Sequence, residues 1–289
     1  MSADAVQAML AGMPRRLYRA TPTRLTTWLD CPRRYRFTYL DRPPPGKGPP
    51  WAHNTLGAVV HLALADWWRL PLSRRTVSAA GALVERSWRS DGFRDDAQAS
   101  LWRGHARTMV ERYVTRLDPS VEPRGVERTV ATVHGGVALS GRVDRIDERG
   151  DELVIVDYKT GRHVLSVDDV RSSIALAVYA AAAARTLRLP CRRVELHHLP
   201  TGAVHVWEHD ERTLGRHLGR ADDVAAECAG ADAAFRAGNA GDDVFPARPS
   251  ALCGWCDFRA NCAAGQAQSA QRTPWAGLGP DYIGGTFNW

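Results

Sequence analysis

The chain is almost without lysine: among 38 basic side chains only Lys47 and Lys159 are lysines, and the rest are arginines. Where fixed positive charge suffices, this sequence uses a guanidinium. An ammonium is more compact and shifts its pKa readily beside other charges, so Lys159 reads as a residue retained for chemistry. Long apolar runs are also missing, and even Ile174 to Ala184 is too short to span a bilayer. Met1 to Leu17 lacks the charged start, apolar run and small-residue cleavage site of a leader. A soluble, cytoplasmic protein without a membrane partner is therefore expected, and a disulfide framework is disfavoured. No P-loop occurs, since Pro45-Gly46-Lys47-Gly48 fails the pattern, so any nucleotide-driven motor must come from a partner.

What is present centres on Val154-Ile155-Val156-Asp157-Tyr158-Lys159-Thr160-Gly161. The β-branched run reads as a buried strand, and the period of two puts Asp157 and Lys159 on one face. Leu139 to Asp147 reads as the preceding strand, with turn residues at Glu148-Arg149-Gly150-Asp151, so a hairpin brings Asp144 alongside Asp157. Two carboxylates beside a lysine suit a hard divalent cation such as Mg2+ or Mn2+, which takes one or two protein carboxylates and leaves positions for water and phosphate. The metal lowers the pKa of a bound water, and the ammonium orients it or stabilises the transition state. Spacing alone also fits a hairpin whose solvent face carries an ordinary Asp-Lys pair.

A second constellation is built of cysteines: Cys31, before Pro32, and Cys253, Cys256 and Cys262 in Cys-x2-Cys-x5-Cys spacing. Four thiolates make a complete set for a tetrahedral zinc or a cubane iron-sulfur cluster, and spacing does not choose between them. Cys31 and Cys253 lie 222 positions apart. Closing such a span restricts the unfolded chain by about 5 kcal/mol on the logarithmic loop-closure relation. Cys191 and Cys228 have no partner spacing and read as small core residues.

With Asp144, the Asp157-Tyr158-Lys159 triplet, Leu56-Gly57-Ala58-Val59-Val60-His61 and the cysteine pattern together, the chain resembles the PD-(D/E)xK nuclease superfamily. Within it, the resemblance is to the RecB-type exonuclease domain shared with the AddB subunit and the CRISPR-adaptation nucleases. It implies a restriction-endonuclease-like α/β fold with a central mixed sheet flanked by helices. It makes His61 a metal ligand with Asp144 and Asp157, gives Lys159 the attacking water, and makes Cys31, Cys253, Cys256 and Cys262 the staple of a [4Fe-4S] cluster. Glu127 falls where relatives place a further acidic residue, and a solvent-facing strand carboxylate is its alternative reading. Relatives also carry Gln-x-x-x-Tyr on the helix after the hairpin; here Tyr179 is present, Ala175 replaces the glutamine, and Ser172 or Ser173 is the nearest substitute.

The expected organisation is an arm over 1–20, one nuclease domain over 21–262, and a tail over 263–289 that is flexible or partner-bound. Helices are expected from Thr23 to Cys31, Asn54 to Leu70, Val77 to Trp88 and Asp96 to Leu117. A strand block follows from Val126 to Asp157. One long helix capped at Asp168 or Asp169 runs to Leu187, then strands Arg193 to Leu199 and Ala203 to Trp207, and a helix from Glu211 to Ala237. A net charge of +6 and a pI near 9.2 suit a polyanion. Arg15, Arg16, Arg19 and Arg24, with Arg33, Arg34 and Arg36 interleaved with Tyr35, Phe37 and Tyr39, are the expected phosphate contacts and stacking faces. Packing of these aromatics around the cysteine site is the alternative. The expected function is a metal-dependent exonuclease on single-stranded DNA or DNA ends. The competing class is a non-catalytic DNA-binding subunit beside a separate helicase or integrase.

Overall fold

The computed structural model describes residues 17–163 and 165–278. Its core is a six-stranded mixed sheet built on one long strand, β3 (Val137–Arg149). One edge of β3 is covered by antiparallel β2 (Gly125–His134) from Val137 to Ile146. The other edge is shared. β1 (Tyr18–Ala20) pairs parallel with Val137, Ala138 and Leu139, and β4 (Glu152–Lys159) pairs antiparallel with Arg145 through Arg149. The stretch between, which contains Asp144, has no strand on that edge among the described residues.

Beyond β4 the sheet continues through β5 (Cys191–His198), parallel to β4, and β6 (Ala203–Glu208), antiparallel to β5. The parallel pair needs a crossover, which two helices supply: α6 (Val167–Ser172) and α7 (Ile174–Leu187). A single helix was expected here. Ser166 forms a capping box with Asp169, and Ser173 ends one helix and caps the next, accepting from Leu176 N. Helix α7 packs on one face of the sheet beside α8 (Glu211–Arg236), and the opposite face is covered by α3 (Ala52–Arg69), α4 (Val77–Ser87) and α5 (Asp96–Val114).

Near the start of the described residues, α1 (Pro22–Asp30) ends at Cys31, and a second helix follows at once. Pro32 sits at the first position of α2 (Pro32–Tyr39), where its missing N–H costs nothing. Tyr35 and Phe37, for which stacking and packing around the cysteine site were both open, are buried, packing against Trp28 and Phe258. Arg15 and Arg16 lie outside the described residues. After Cys262, where a flexible or partner-bound tail was expected over 263–289, the described residues form α9 (Ala263–Gln268) and bury Leu278 against the α3 side of the core. No helix among the described residues is long and apolar enough to cross a membrane.

Two close approaches depend on glycine. Gly57 lets α3 lie against the end of β4, where an added Cβ would stand 3.2 Å from Thr160 Oγ1. Gly141 lets α7 seat Tyr179 on β3, where a Cβ would meet Tyr179 Cε1 at 2.4 Å. Gly141→Ala is expected to lower stability in urea denaturation by about 1–3 kcal/mol, the usual cost of overpacking. In a Tyr179→Ala background the same change should cost under about 0.5 kcal/mol, since the clash is then absent.

Candidate metal centre

Asp144 occupies the uncovered edge of β3 and is held from two sides. Its Oδ2 accepts the Tyr158 backbone N–H at 2.8 Å, which fixes the carboxylate to β4, and its Oδ1 faces His61 Nδ1 at 3.3 Å. His61 comes from α3 and packs edge-on against the Tyr158 ring. Burial pushes the His61 imidazole down, but the Asp144 carboxylate, with Asp157 adding to it, leaves the group above its ordinary pKa.

Across the ladder stands Glu127. The β2–β3 register runs from Val126↔Arg145 to Arg128↔Val143 and passes over the position between, where Glu127 adopts φ 49°. A bulky residue in left-handed backbone within a strand is strained, and such strain collects at functional sites. Ligand atoms of His61, Glu127 and Asp144 all lie within 4.8 Å of one another. Burial raises the Glu127 carboxyl, and Arg142, whose Nε is 2.7 Å from Glu127 Oε2, opposes this.

Asp157 adjoins this group but is engaged differently. Its Oδ2 is buried without a directed hydrogen bond and is balanced by the Lys159 ammonium at 2.5 Å. Burial raises the Asp157 carboxyl against the pull of Lys159, with Asp144 adding to the rise. An imidazole and two carboxylates drawn together, with a third carboxylate paired to an ammonium beside them, fit a hard divalent cation that keeps water and phosphate in its remaining positions. The Tyr179 hydroxyl shares this face, its pKa pushed up to about 12 by burial and by Asp157 and Asp144.

A model of the PD-(D/E)XK nuclease superfamily matches residues 19–263. The chain belongs to that superfamily. Among solved structures it is similar to a protein of Eubacterium rectale described as a candidate exonuclease, at 10% identity over 94% of each chain with a TM-score of 0.46. It is also similar to SSO0001, at 14% identity over 91% of this chain and 94% of that one, with a TM-score of 0.35. No curated protein matches.

Other residues of this nuclease-superfamily chain fall in two further places. Cys31, Cys253, Cys256 and Cys262 line one cavity with Phe37 and Phe258. Cys253 Sγ accepts from Ser250 N and Cys262 Sγ from Gly265 N, both at 3.4 Å, and Arg33 Nη1 lies 3.9 Å from Cys262 Sγ. The four sulfurs do not draw into a set within 4.8 Å of one another, as the His61 group does. Cys191 and Cys228 are buried core residues, as expected. Of the arginines expected on phosphate, Arg33 pairs with Asp242 and Arg36 with Asp41, Arg34 lies 3.8 Å from Asp30, and Arg24 pairs with Asp232 beneath the Tyr18, Tyr35 and Tyr39 rings.

Ser172 and Ser173 do not stand in for the missing amide at Ala175. The Ser172 hydroxyl donates to Asp168 O and Ser173 Oγ accepts from Leu176 N, so both serve helix ends. Behind Tyr158 lies a polar ladder not foreseen in the sequence. Buried Arg145 donates to the Tyr113 and Tyr158 hydroxyls and forks onto Asp147, and Tyr113 meets His197, which meets Glu195. Against the effect of burial, His197, Arg149 and Arg193 hold the Glu195 carboxylate well below the usual range. The available signal was charge at period two on two apolar strands, Arg145-x-Asp147 and Glu195-x-His197.

The strain at Glu127 gives a stability contrast. Glu127→Ala and Glu127→Gly both remove the carboxylate, but only glycine takes left-handed backbone freely. The glycine variant is expected to be more stable than the alanine variant by about 1 kcal/mol in urea denaturation, while both lose metal affinity.

Proposed function

We propose that this chain is a divalent-metal-dependent deoxyribonuclease of the RecB-like type, an exonuclease on single-stranded DNA or DNA ends in repair or defence. The observation that carries the reading is the convergence of His61, Glu127 and Asp144, with Asp157 and Lys159 at the adjoining end of β4. His61, Asp144 and Glu127 would hold Mg2+ or Mn2+, with Asp157 adding oxygen ligation. The bound ion would supply Lewis-acid activation of water and neutralise the scissile phosphate.

The chain's own groups then have separate tasks. Asp144, fixed by Tyr158 N–H, keeps its orientation as ligands exchange. Lys159, 46% exposed and paired to Asp157, presents its ammonium to the attacking water and to charge developing on the phosphate. The Tyr179 hydroxyl faces the same carboxylates and would take over part of the role of the amide that Ala175 lacks.

A [4Fe-4S] cluster on Cys31, Cys253, Cys256 and Cys262 belongs to the same proposal. N–H donors from Ser250 and Gly265, together with Arg33, are placed to offset thiolate charge at Cys253 and Cys262. Ala175 favours a second reading, a weakly active or non-catalytic DNA-binding subunit that relies on a separate helicase or integrase.

One preparation tests these readings. Anaerobically purified protein is expected to contain roughly four irons and four acid-labile sulfides and to degrade labelled DNA with Mg2+ or Mn2+ but not with chelator. Lys159→Ala should lower the rate by about 100-fold or more while retaining DNA binding. Tight binding without cleavage under any divalent metal would establish the second reading, and stoichiometric zinc would displace the cluster.

A further inference from the structure

Arg142 stands at the rim of the metal centre. The period of two along β3 places it on the same face as Asp144, and it lies diagonal to Glu127 across the β2–β3 ladder. Its Nε is 2.7 Å from Glu127 Oε2, yet its side chain is 72% exposed while that of Glu127 is 17% exposed. The guanidinium is thus tethered at one edge and open to solvent at the other.

Glu127 is the shared partner. Its carboxylate belongs to the set of ligand atoms within 4.8 Å, and it is also the anion that Arg142 neutralises. A divalent cation and a guanidinium compete for the same carboxylate charge. Binding of the ion weakens the hold of Glu127 on Arg142, and the long side chain has open space to turn into. The planar fork of a guanidinium matches phosphate oxygens, and a cation beside the scissile bond is where a polyanionic strand needs one.

We propose that Arg142 is an exchangeable counterion: it occupies Glu127 before metal entry, then binds a non-bridging phosphate oxygen of the nucleic-acid strand next to the scissile phosphate. This rests on the nuclease reading of the site. Arg142 is a positioning residue for the strand, and it links metal loading to strand binding. An exposed pair of this kind adds little to folding, so its replacement leaves the protein folded.

The test uses two readouts with opposite signs. Mn2+ binding is measured by titration calorimetry on wild-type protein, Arg142→Gln and Arg142→Lys. Binding of a DNA oligonucleotide is then measured against salt with Mn2+ present, each change being placed in a Lys159→Ala background to prevent cleavage. Arg142→Gln is expected to bind Mn2+ about fivefold more tightly, the weight of one exposed ion pair. The same variant should bind DNA several-fold more weakly, with a salt slope shallower by about 0.7 to 0.9, one phosphate contact. Arg142→Lys should keep the wild-type slope. A protein with no structural change elsewhere but with unaltered or weaker Mn2+ binding, or an unaltered slope, would overturn the proposal while leaving the nuclease reading intact. Failure of the wild-type protein to bind Mn2+ would overturn the metal centre itself, and this proposal with it.

Discussion

The structure depends on one carboxylate. Asp144 accepts the Tyr158 N–H with one oxygen and meets His61 with the other, at the stretch of β3 that neither β1 nor β4 covers. A continuous ladder would satisfy Tyr158 N through backbone; here the side chain does it, which holds Asp144 in place and joins β3 to β4 beyond their last paired residues. Helix α3 must then come close enough for His61 to reach the same carboxylate, and the missing side chain of Gly57 permits that approach beside Thr160.

The two faces of β4 divide the work. Asp157 and Lys159 lie on one face, paired to each other beside the His61, Glu127 and Asp144 group. Tyr158 lies on the other, locked to Arg145, which is itself held by Asp147 and Tyr113. Hydrogen-bonded polar groups in a buried site rigidify what they touch, so the strand that carries Asp157 and Lys159 is anchored from behind. The cysteine segment supports the opposite end of α3: Trp51 Nε1 donates to Asp257 Oδ1, and Gly48 N donates to Asp257 O. Helix α3 is thereby fixed at its start by the Cys253–Cys262 region and along its length by the sheet that carries Asp144.

Much of this was legible in the chain. The apolar run before Asp157 and the turn at Glu148 to Asp151 specify a hairpin locally, and the spacing of Asp144 and Asp157 follows from its register. Features that depend on distant partners were not legible. β1 is three residues long and is a strand because β3 offers it an edge. The Arg-aromatic alternation after Cys31 fitted exposed stacking and packing around the cysteine site equally well; Pro32 starts a helix that buries Tyr35 and Phe37, with Phe37 against Phe258 beside the cysteines. The left-handed backbone of Glu127 and the pairing of Arg142 with it arise across two strands, and neither residue's neighbours in sequence announce them. The placement of His61 came from its motif rather than from helix periodicity, which fits a packed histidine equally well.

The most direct measurement is anomalous diffraction at the manganese edge from crystals grown with Mn2+. The account predicts a peak within bonding distance of His61, Asp144 and Glu127, adjoining Asp157. A peak elsewhere, or none while His61 remains paired to Asp144, would contradict it.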